Sequence, residues 1–338
     1  MNTDIVKSLL FRLPPESAHH LALHALNLAY ASGISRFLFG TPPPAPRTVM
    51  GLHFPNPIGL AAGFDKNAEC INGLGSLGFG FLEVGTVTPR PQAGNPSPRL
   101  FRLPKFRAVI NRMGFNNLGV EHLIKNVQQR RYSGILGINL GKNATTPLEN
   151  AVDDYLYGLQ RVYPHADYIT INISSPNTKN LRQLQHADEL QQMLQVLKNA
   201  QTTLATTHQK YVPLVLKIAP DLTQPEIVTI AQICLENQMD GIIATNTTLS
   251  RMGVESVQHG QETGGLSGAP LTTQATEVVR LLTQTLQDKI PVIASGGVMT
   301  VADVQEKFAA GASLVQIYTG LIYQGTGLVR QAVEAVAK

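Results

Sequence analysis

Residues 167–178 read Asp167-Tyr168-Ile169-Thr170-Ile171-Asn172-Ile173-Ser174-Ser175-Pro176-Asn177-Thr178. The first part is apolar and β-branched, the pattern of a buried strand. Polar residues then crowd its C-terminal end. Pro176 has no N–H to give to a ladder, so it ends the strand and sets the turn. Amides and hydroxyls therefore face whatever lies beyond the strand, a set suited to holding a small polar ligand and moving a proton. An ordinary strand-to-helix loop explains the same residues, since Ser, Asn and Pro are common there. The functional reading gains weight because other strand ends along the chain carry matching chemistry.

Apolar strand candidates recur at 58–62, 81–86, 134–140, 167–173, 213–218, 241–245, 291–294 and 313–318. Amphipathic helix candidates lie near 67–77, 117–130, 150–162, 187–205, 224–237, 272–286, 301–310 and 321–336. Strand followed by helix, eight times, predicts a (β/α)8 TIM barrel of class α/β. Residues 49–57, with Gly51 and His53-Phe54, read as a short hairpin closing the barrel bottom.

The 338 residues are 43% hydrophobic and 15% charged, enough apolar content for one large core. Net charge is +4 with acidic residues interspersed, so no nucleic-acid stripe is evident. Cys70 and Cys234 each fall inside a helical pattern and read as small buried hydrophobes rather than a disulfide or metal pair. Residues 1–40 form a helical appendage. Thr3 is placed to cap a first helix carrying Ile5, Val6, Leu9, Leu10 and Leu13. Pro14-Pro15 break it, and a second helix opens at Glu16 with Leu21, Ala22, Ala25, Leu28 and Ala29 at helical spacing. Two short apolar helices with basic flanks suit a membrane interface. A hairpin packed on its own barrel suits them equally. The uncharged run 17–35 holds three histidines and makes a poor membrane span. Residues 41–47 are a stiff proline-rich linker, and 48–338 carry the barrel.

Active sites of such barrels lie at the C-terminal strand ends. Here those ends carry Ala62-Gly63-Phe64-Asp65-Lys66, Gly85-Thr86, Asn139, Asn172 to Thr178, Lys217, Thr245-Asn246-Thr247, Ser295-Gly296-Gly297 and Tyr318-Thr319-Gly320. Loops add Phe101-Arg102, Asn111 to Phe115 and Gly264 to Gly268. Glycines after the seventh and eighth strands present bare N–H groups to a phosphate, a recurring feature of this fold. Lys217 adds a cation, and Asn139 and Asn172 add amides that match a flat heterocycle. Lys66, Asn111, Asn172, Asn177 and Asn246 suit a small carboxylate with ring amides. No carboxylate or histidine cluster argues for a metal. Each asparagine alone also reads as loop structure bonded to its own backbone.

Ala-Gly-Phe-Asp-Lys66, Glu83-Val-Gly-Thr-Val-Thr-Pro, Asn111-Arg-Met-Gly-Phe-Asn, Asn172-Ile-Ser-Ser-Pro-Asn-Thr, Ala244-Thr-Asn-Thr-Thr and Gly264-Gly-Leu-Ser-Gly, in this order, resemble the membrane-associated, quinone-reducing class of dihydroorotate dehydrogenases. The resemblance runs from about Ser17 to the C-terminus. It implies FMN contacts at Ala62, Gly63, Lys66, Thr86, Asn139, Asn172, Lys217, Thr245, Gly268, Ser295, Gly297, Tyr318 and Thr319. It implies dihydroorotate or orotate contacts at Lys66, Asn111, Arg112, Met113, Gly114, Phe115, Asn172, Asn177, Asn246 and Thr247. It implies that Ser175 is the base, taking a proton from C5 while hydride leaves C6 for the flavin. The soluble class of the family has Cys at that position, so Ser175 and the appendage select the quinone class. His19, Arg102 and Tyr318 are implied to line the quinone approach. The resemblance further implies pyrimidine biosynthesis, a monomer, and peripheral attachment to the cytoplasmic face of the cell membrane. Three rivals are a soluble flavin dehydrogenase using fumarate or a nicotinamide, a tRNA-reducing flavin barrel, and a non-catalytic binder of a phosphate ligand.

Overall fold

Eight short runs of buried aliphatic residues pair in parallel and close on themselves. The computed structural model describes residues 3–337, with side chains from residue 7 onward. The strands in chain order are β1 (Arg47–Val49), β2 (Leu52–Phe54), β3 (Ile58–Leu60), β4 (Phe81–Val87), β5 (Leu100–Leu103), β6 (Ala108–Asn111), β7 (Ile135–Leu140), β8 (Tyr168–Asn172), β9 (Leu214–Ile218), β10 (Gly241–Ala244), β11 (Gly265–Gly268), β12 (Val292–Ser295) and β13 (Leu314–Ile317). The barrel closes in the order β10-β12-β13-β3-β4-β7-β8-β9. Every residue of β8 and β9 is buried, as expected where helices cover the outside and side chains fill the inside.

The helices are α1 (Thr3–Leu10), α2 (Pro15–Ala31), α3 (Ser35–Phe39), α4 (Ile71–Gly75), α5 (Val120–Val127), α6 (Ala151–Val162), α7 (Ala187–His208), α8 (Gln224–Glu236), α9 (Thr272–Leu286), α10 (Val301–Ala309), α11 (Thr319–Gln324) and α12 (Gly327–Val336). Three depart from the sequence pattern, the first being α3, a short third helix in an appendage expected to hold two. The helix expected at 67–77 shortens to α4 because the Asp65 carboxylate accepts from the Glu69 and Cys70 N–H groups at 2.9 and 2.7 Å, holding the chain in turns up to there. The helix expected at 321–336 divides because Gly325, at φ 73°, ends α11 before α12 starts. The two cysteines are free and buried, inside the apolar core.

The hairpin at the barrel bottom is β1–β2. Met50 and Gly51 sit at φ 55° and 74°, a two-residue turn with both central residues left-handed. The turn delivers Phe54, fully buried, edge-on to Phe81 at 5.3 Å. Around them stand Tyr168 and Leu314, which open their strands, with Val215, Ile243 and Ile293. The long loop expected after β4 is more ordered than its sequence suggests. Its β5 and β6 pair antiparallel with each other, and β6 pairs with the distant β11.

The appendage uses its two faces differently. Ala18 of α2 is buried, and Leu23 and Leu26 pack on the core. Asn27 donates to the Glu69 carbonyl at 2.8 Å, and Glu16 pairs with Arg99 at 2.7 Å. The stripe marked by Leu21 and Leu28 instead faces outward, continuous in kind with Leu9, Leu13, Ile34 and Leu38. Phe37 of α3 is 91% exposed. The expected cap Thr3 and the apolar Ile5 and Val6 lie outside the described side chains. Among the described residues, no helix is long and apolar enough to cross a membrane.

Phe54→Ala should empty the hydrophobic plug under the barrel. The expected loss is about 3–5 kcal/mol, the range for removing a buried aromatic ring, measured by urea unfolding. A loss below about 1 kcal/mol would show that the hairpin is only a surface decoration.

Candidate active site

The barrel opens at its C-terminal end into a cleft lined by residues from the strand ends and their loops. Its floor rests on one buried acid. Glu83 of β4 points into the barrel and is 1% exposed. Its Oε1 accepts from Asn139 Nδ2 at 2.7 Å. Its Oε2 accepts from the Tyr168 hydroxyl at 2.9 Å and Gln316 Nε2 at 2.8 Å. Lys217 Nζ stands 3.9 Å from Oε1. Burial depresses the Lys217 pKa, and the facing Glu83 charge opposes that shift. The pair leaves a compensated ammonium at the cleft floor, beside Asn172 in the β8–β9 register.

Hydroxyls and amides form the next layer. Thr86 donates to Asn139 Oδ1 at 2.6 Å, while Asn172 Nδ2 reaches Thr86 Oγ1 and Asn139 Oδ1 at 3.0 and 3.1 Å. Ser174 donates to Asn172 Oδ1 at 2.8 Å, and Asn246 Nδ2 donates to Ser174 Oγ at 2.9 Å. Ser175 is buried beside them, its Oγ accepting from the Asn177 N–H at 3.2 Å. Asn177 donates in turn to Asn111 Oδ1 at 3.1 Å. Thr178 Oγ1 is buried with no hydrogen-bond partner among the described residues.

The opposite wall is bare backbone. Gly296 and Gly297 sit at φ 105° and 71°. A Cβ on Gly297 would come within 2.2 Å of Thr272 Cα, and one on Gly268 within 2.3 Å of the Arg107 carbonyl. Ser267 and Thr319 share a hydroxyl hydrogen bond of 2.8 Å at this wall. The motif Gly264-Gly265 has a steric cause: side chains there would strike the Asn111 carbonyl at 2.2 Å and Thr247 Oγ1 at 1.9 Å. A larger residue at Gly264 would collide with the backbone of β6, the strand that β11 pairs with.

Most of the residues singled out in the sequence converge here. Ala62, Gly63, Lys66, Thr86, Asn172, Lys217, Thr245, Gly268, Ser295, Gly297, Tyr318 and Thr319 line the cleft. So do Asn111, Met113, Gly114, Phe115, Ser175, Asn177, Asn246 and Thr247. Asn139 is fully buried behind Thr86 and Asn172, holding both. Arg112 turns away, stacked 4.6 Å over Phe101 and paired with Glu262 at 2.7 Å. Arg102 caps the end of the first appendage helix, donating to the Leu10 and Leu13 carbonyls and lying over the Phe11 ring. His19 packs edge-on to Phe64 at 5.1 Å, and Phe64 to Tyr318 at 5.3 Å, a line of rings from α2 to the cleft. Desolvation, with Lys66 and His20 nearby, pushes the His19 pKa down to about 4, so the imidazole is neutral at pH 7. Desolvation also pushes Lys66 down to about 8.

Sequence reading missed Glu83 and Gln316 as parts of the site floor. The available signal was a charged or amide residue inside an otherwise apolar strand. Ser267 lay inside the stretch Gly264 to Gly268 read as a loop, and it reaches the wall as part of the unforeseen β11 strand.

A family profile described as "Dihydroorotate dehydrogenase" matches residues 45–338. A Nitrosomonas europaea protein named dihydroorotate dehydrogenase (quinone) is 57% identical over 335 residues, covering 98% of this chain and 97% of its own. One of the same name from Azotobacter vinelandii is 55% identical over 333 residues, covering 98% and 96%. The solved structure of DHODH in complex with ferulenol from Eimeria tenella aligns with a TM-score of 0.84 at 39% identity, over 94% of this chain and 89% of that one. With a full-length barrel, a converging cleft and relatives of this closeness, the chain belongs to the dihydroorotate dehydrogenase family.

Proposed function

We propose that this protein oxidises dihydroorotate to orotate, using FMN and passing the electrons to a membrane quinone, within de novo pyrimidine (UMP) synthesis. The observation that carries the reading is the convergence of Ser175, Lys66 and four asparagines opposite a glycine wall in one cleft. Several features suit FMN. Gly296 and Gly297 offer a phosphate cradle without side chains, and Gln316 Oε1, in the cleft lining, is buried with no hydrogen-bond partner among the described residues. Lys217 supplies a buried cation for a ring that gains negative charge. We assign FMN binding to Ala62, Gly63, Lys66, Thr86, Asn172, Lys217, Thr245, Gly268, Ser295, Gly297, Tyr318 and Thr319, with Asn139 acting through Thr86 and Asn172.

FMN, when bound, supplies hydride acceptance and the onward transfer of two electrons. The chain's own residues do the rest. Asn111, Asn177, Asn246 and Thr247 offer donors and acceptors for the ring amides, and the Lys66 ammonium matches the carboxylate. Ser175 Oγ takes the C5 proton and must release its own hydroxyl proton as it does so. Thr178, three residues on and unpartnered, suits a relay to water. Serine is a weak base in isolation, so this role depends on position. Residues 1–40 act as the membrane and quinone-access segment. Their outward apolar face rests on the bilayer's cytoplasmic side, and the His19–Phe64–Tyr318 rings lead inward. Arg102 holds the appendage helix in place from the barrel side.

The purified protein should be yellow and should bleach with dihydroorotate in the absence of air. Ser175→Ala should keep its FMN and fold but bleach at least ~100-fold more slowly, the lower range for losing a general base. Bleaching at the normal rate would assign proton removal elsewhere.

The Lys66 ammonium is charged below its folded pKa of about 8 and neutral above it. A carboxylate ligand binds the charged form, so the orotate Kd should be flat below about pH 8 and rise by up to tenfold per pH unit above it. Lys66→Met should abolish that slope. A slope that persists in the variant would assign it to another group.

Removing residues 1–40 should leave FMN binding and bleaching largely intact while sharply slowing reoxidation by long-tailed quinone and abolishing vesicle binding. Equal turnover of long-tailed quinone by soluble truncated protein would overturn the access role.

A further inference from the structure

Arg182 stands in the 3-10 turn Leu181–Gln185, outside the cleft lining. Its guanidinium nevertheless holds three loops of the site at once. Nε donates to the Ser174 carbonyl at 2.9 Å, and Nη2 donates to the Thr247 carbonyl at 2.8 Å. Nη1 pairs with Asp221 at 2.7 Å. Asp221 in turn accepts from the Leu249 N–H at 3.1 Å and from the Thr248 hydroxyl. Ser174 is the neighbour of Ser175, and Thr247 the neighbour of Asn246. The group therefore spans from the loop after β8, which carries the proton acceptor, to the loop after β10, which carries ligand-binding residues.

We infer that Arg182 is a positioning residue for proton removal: it fixes Ser175 relative to the ligand held by Asn246 and Thr247. The inference rests on the dihydroorotate reading of the cleft. Its physical basis is the shape of the group. A planar guanidinium presents donors in a fixed fork, so two carbonyls bonded to one fork are locked in distance and angle. A lysine ammonium at the end of a flexible stem imposes no such plane. Cross-loop contacts besides Arg182 include the Asn246–Ser174 hydrogen bond at 2.9 Å, which joins side chains rather than backbone. The side chain is 19% exposed, so the clamp is shielded but reachable from solvent.

The test compares wild type, Arg182→Lys, Arg182→Ala and Asp221→Asn by anaerobic flavin bleaching, expressed per bound flavin, with thermal stability and orotate Kd measured alongside. Arg182→Ala and Arg182→Lys should retain FMN yet bleach about 10- to 100-fold more slowly at saturating dihydroorotate, the scale of a sub-ångström to 1 Å misplacement. Added guanidinium ion should restore part of the Arg182→Ala rate. Asp221→Asn, which keeps both carbonyl bonds possible, should lose much less. A staple that serves stability alone predicts a different pattern: lower thermal stability or flavin content with an unchanged rate per bound flavin. That pattern would overturn the inference, as would Asp221→Asn slowing bleaching as much as Arg182→Ala. If Arg182→Ala fails to fold, Arg182→Lys and Asp221→Asn still decide between the two. Wild-type flavin that dihydroorotate does not bleach would instead overturn the functional reading itself.

Discussion

The buried carboxylate of Glu83 is the constraint on which the site depends. An ionised acid inside a barrel is strongly destabilising unless its lone pairs are filled. Here Asn139, Tyr168 and Gln316 fill them, and Lys217 balances the charge. Each partner comes from a different strand, so the requirement to satisfy one carboxylate sets the rotation of four barrel strands toward their common axis. Asn139 then has its amide nitrogen committed downward, which leaves its oxygen to receive Thr86 and Asn172 above. The polar layer that faces the cleft is thus hung from the acid beneath it.

Above this layer the architecture changes from side chains to backbone. The glycines at 264, 265, 268 and 297 are places where a Cβ would strike neighbouring atoms. Their absence of side chains brings the β5–β6–β11 sheet and the loop after β12 close enough to wall the cleft. Polar side chains on one side and bare amides on the other make a division of labour. One side offers amides and hydroxyls, and the other N–H groups that no side chain covers.

The appendage meets the barrel through ordinary contacts and meets solvent through unusual ones. Glu16, Asn27 and Leu23 tie α2 to the barrel, while Leu21, Leu28, Ile34 and Phe37 stay uncovered. A side packed on the barrel and an uncovered apolar side are therefore both present in this segment. The two sides occupy different faces of α2.

Local sequence determined the strands, because a run such as Tyr168-Ile169-Thr170-Ile171 is stable only when buried on both sides. It also determined which ends of those strands bear chemistry, because Asn172, Ser175 and Lys217 follow apolar runs directly. The family motifs were legible for the same reason: they are contiguous. Tertiary structure alone decided what depends on distant partners. Glu83 reads as an odd charge in a strand until Lys217 and Gln316 are brought to it from 134 and 233 residues away. β11 carries one large apolar residue, Leu266, between glycines and a serine, so it does not read as a strand, and it becomes one because β6 offers a ladder. Arg182 reads as a loop charge, and only the closing of the barrel places the carbonyls of Ser174 and Thr247 within reach of one planar group. Short-range patterns carry burial and turn chemistry, whereas hydrogen-bond partners across a barrel are fixed by closure, which no local pattern encodes.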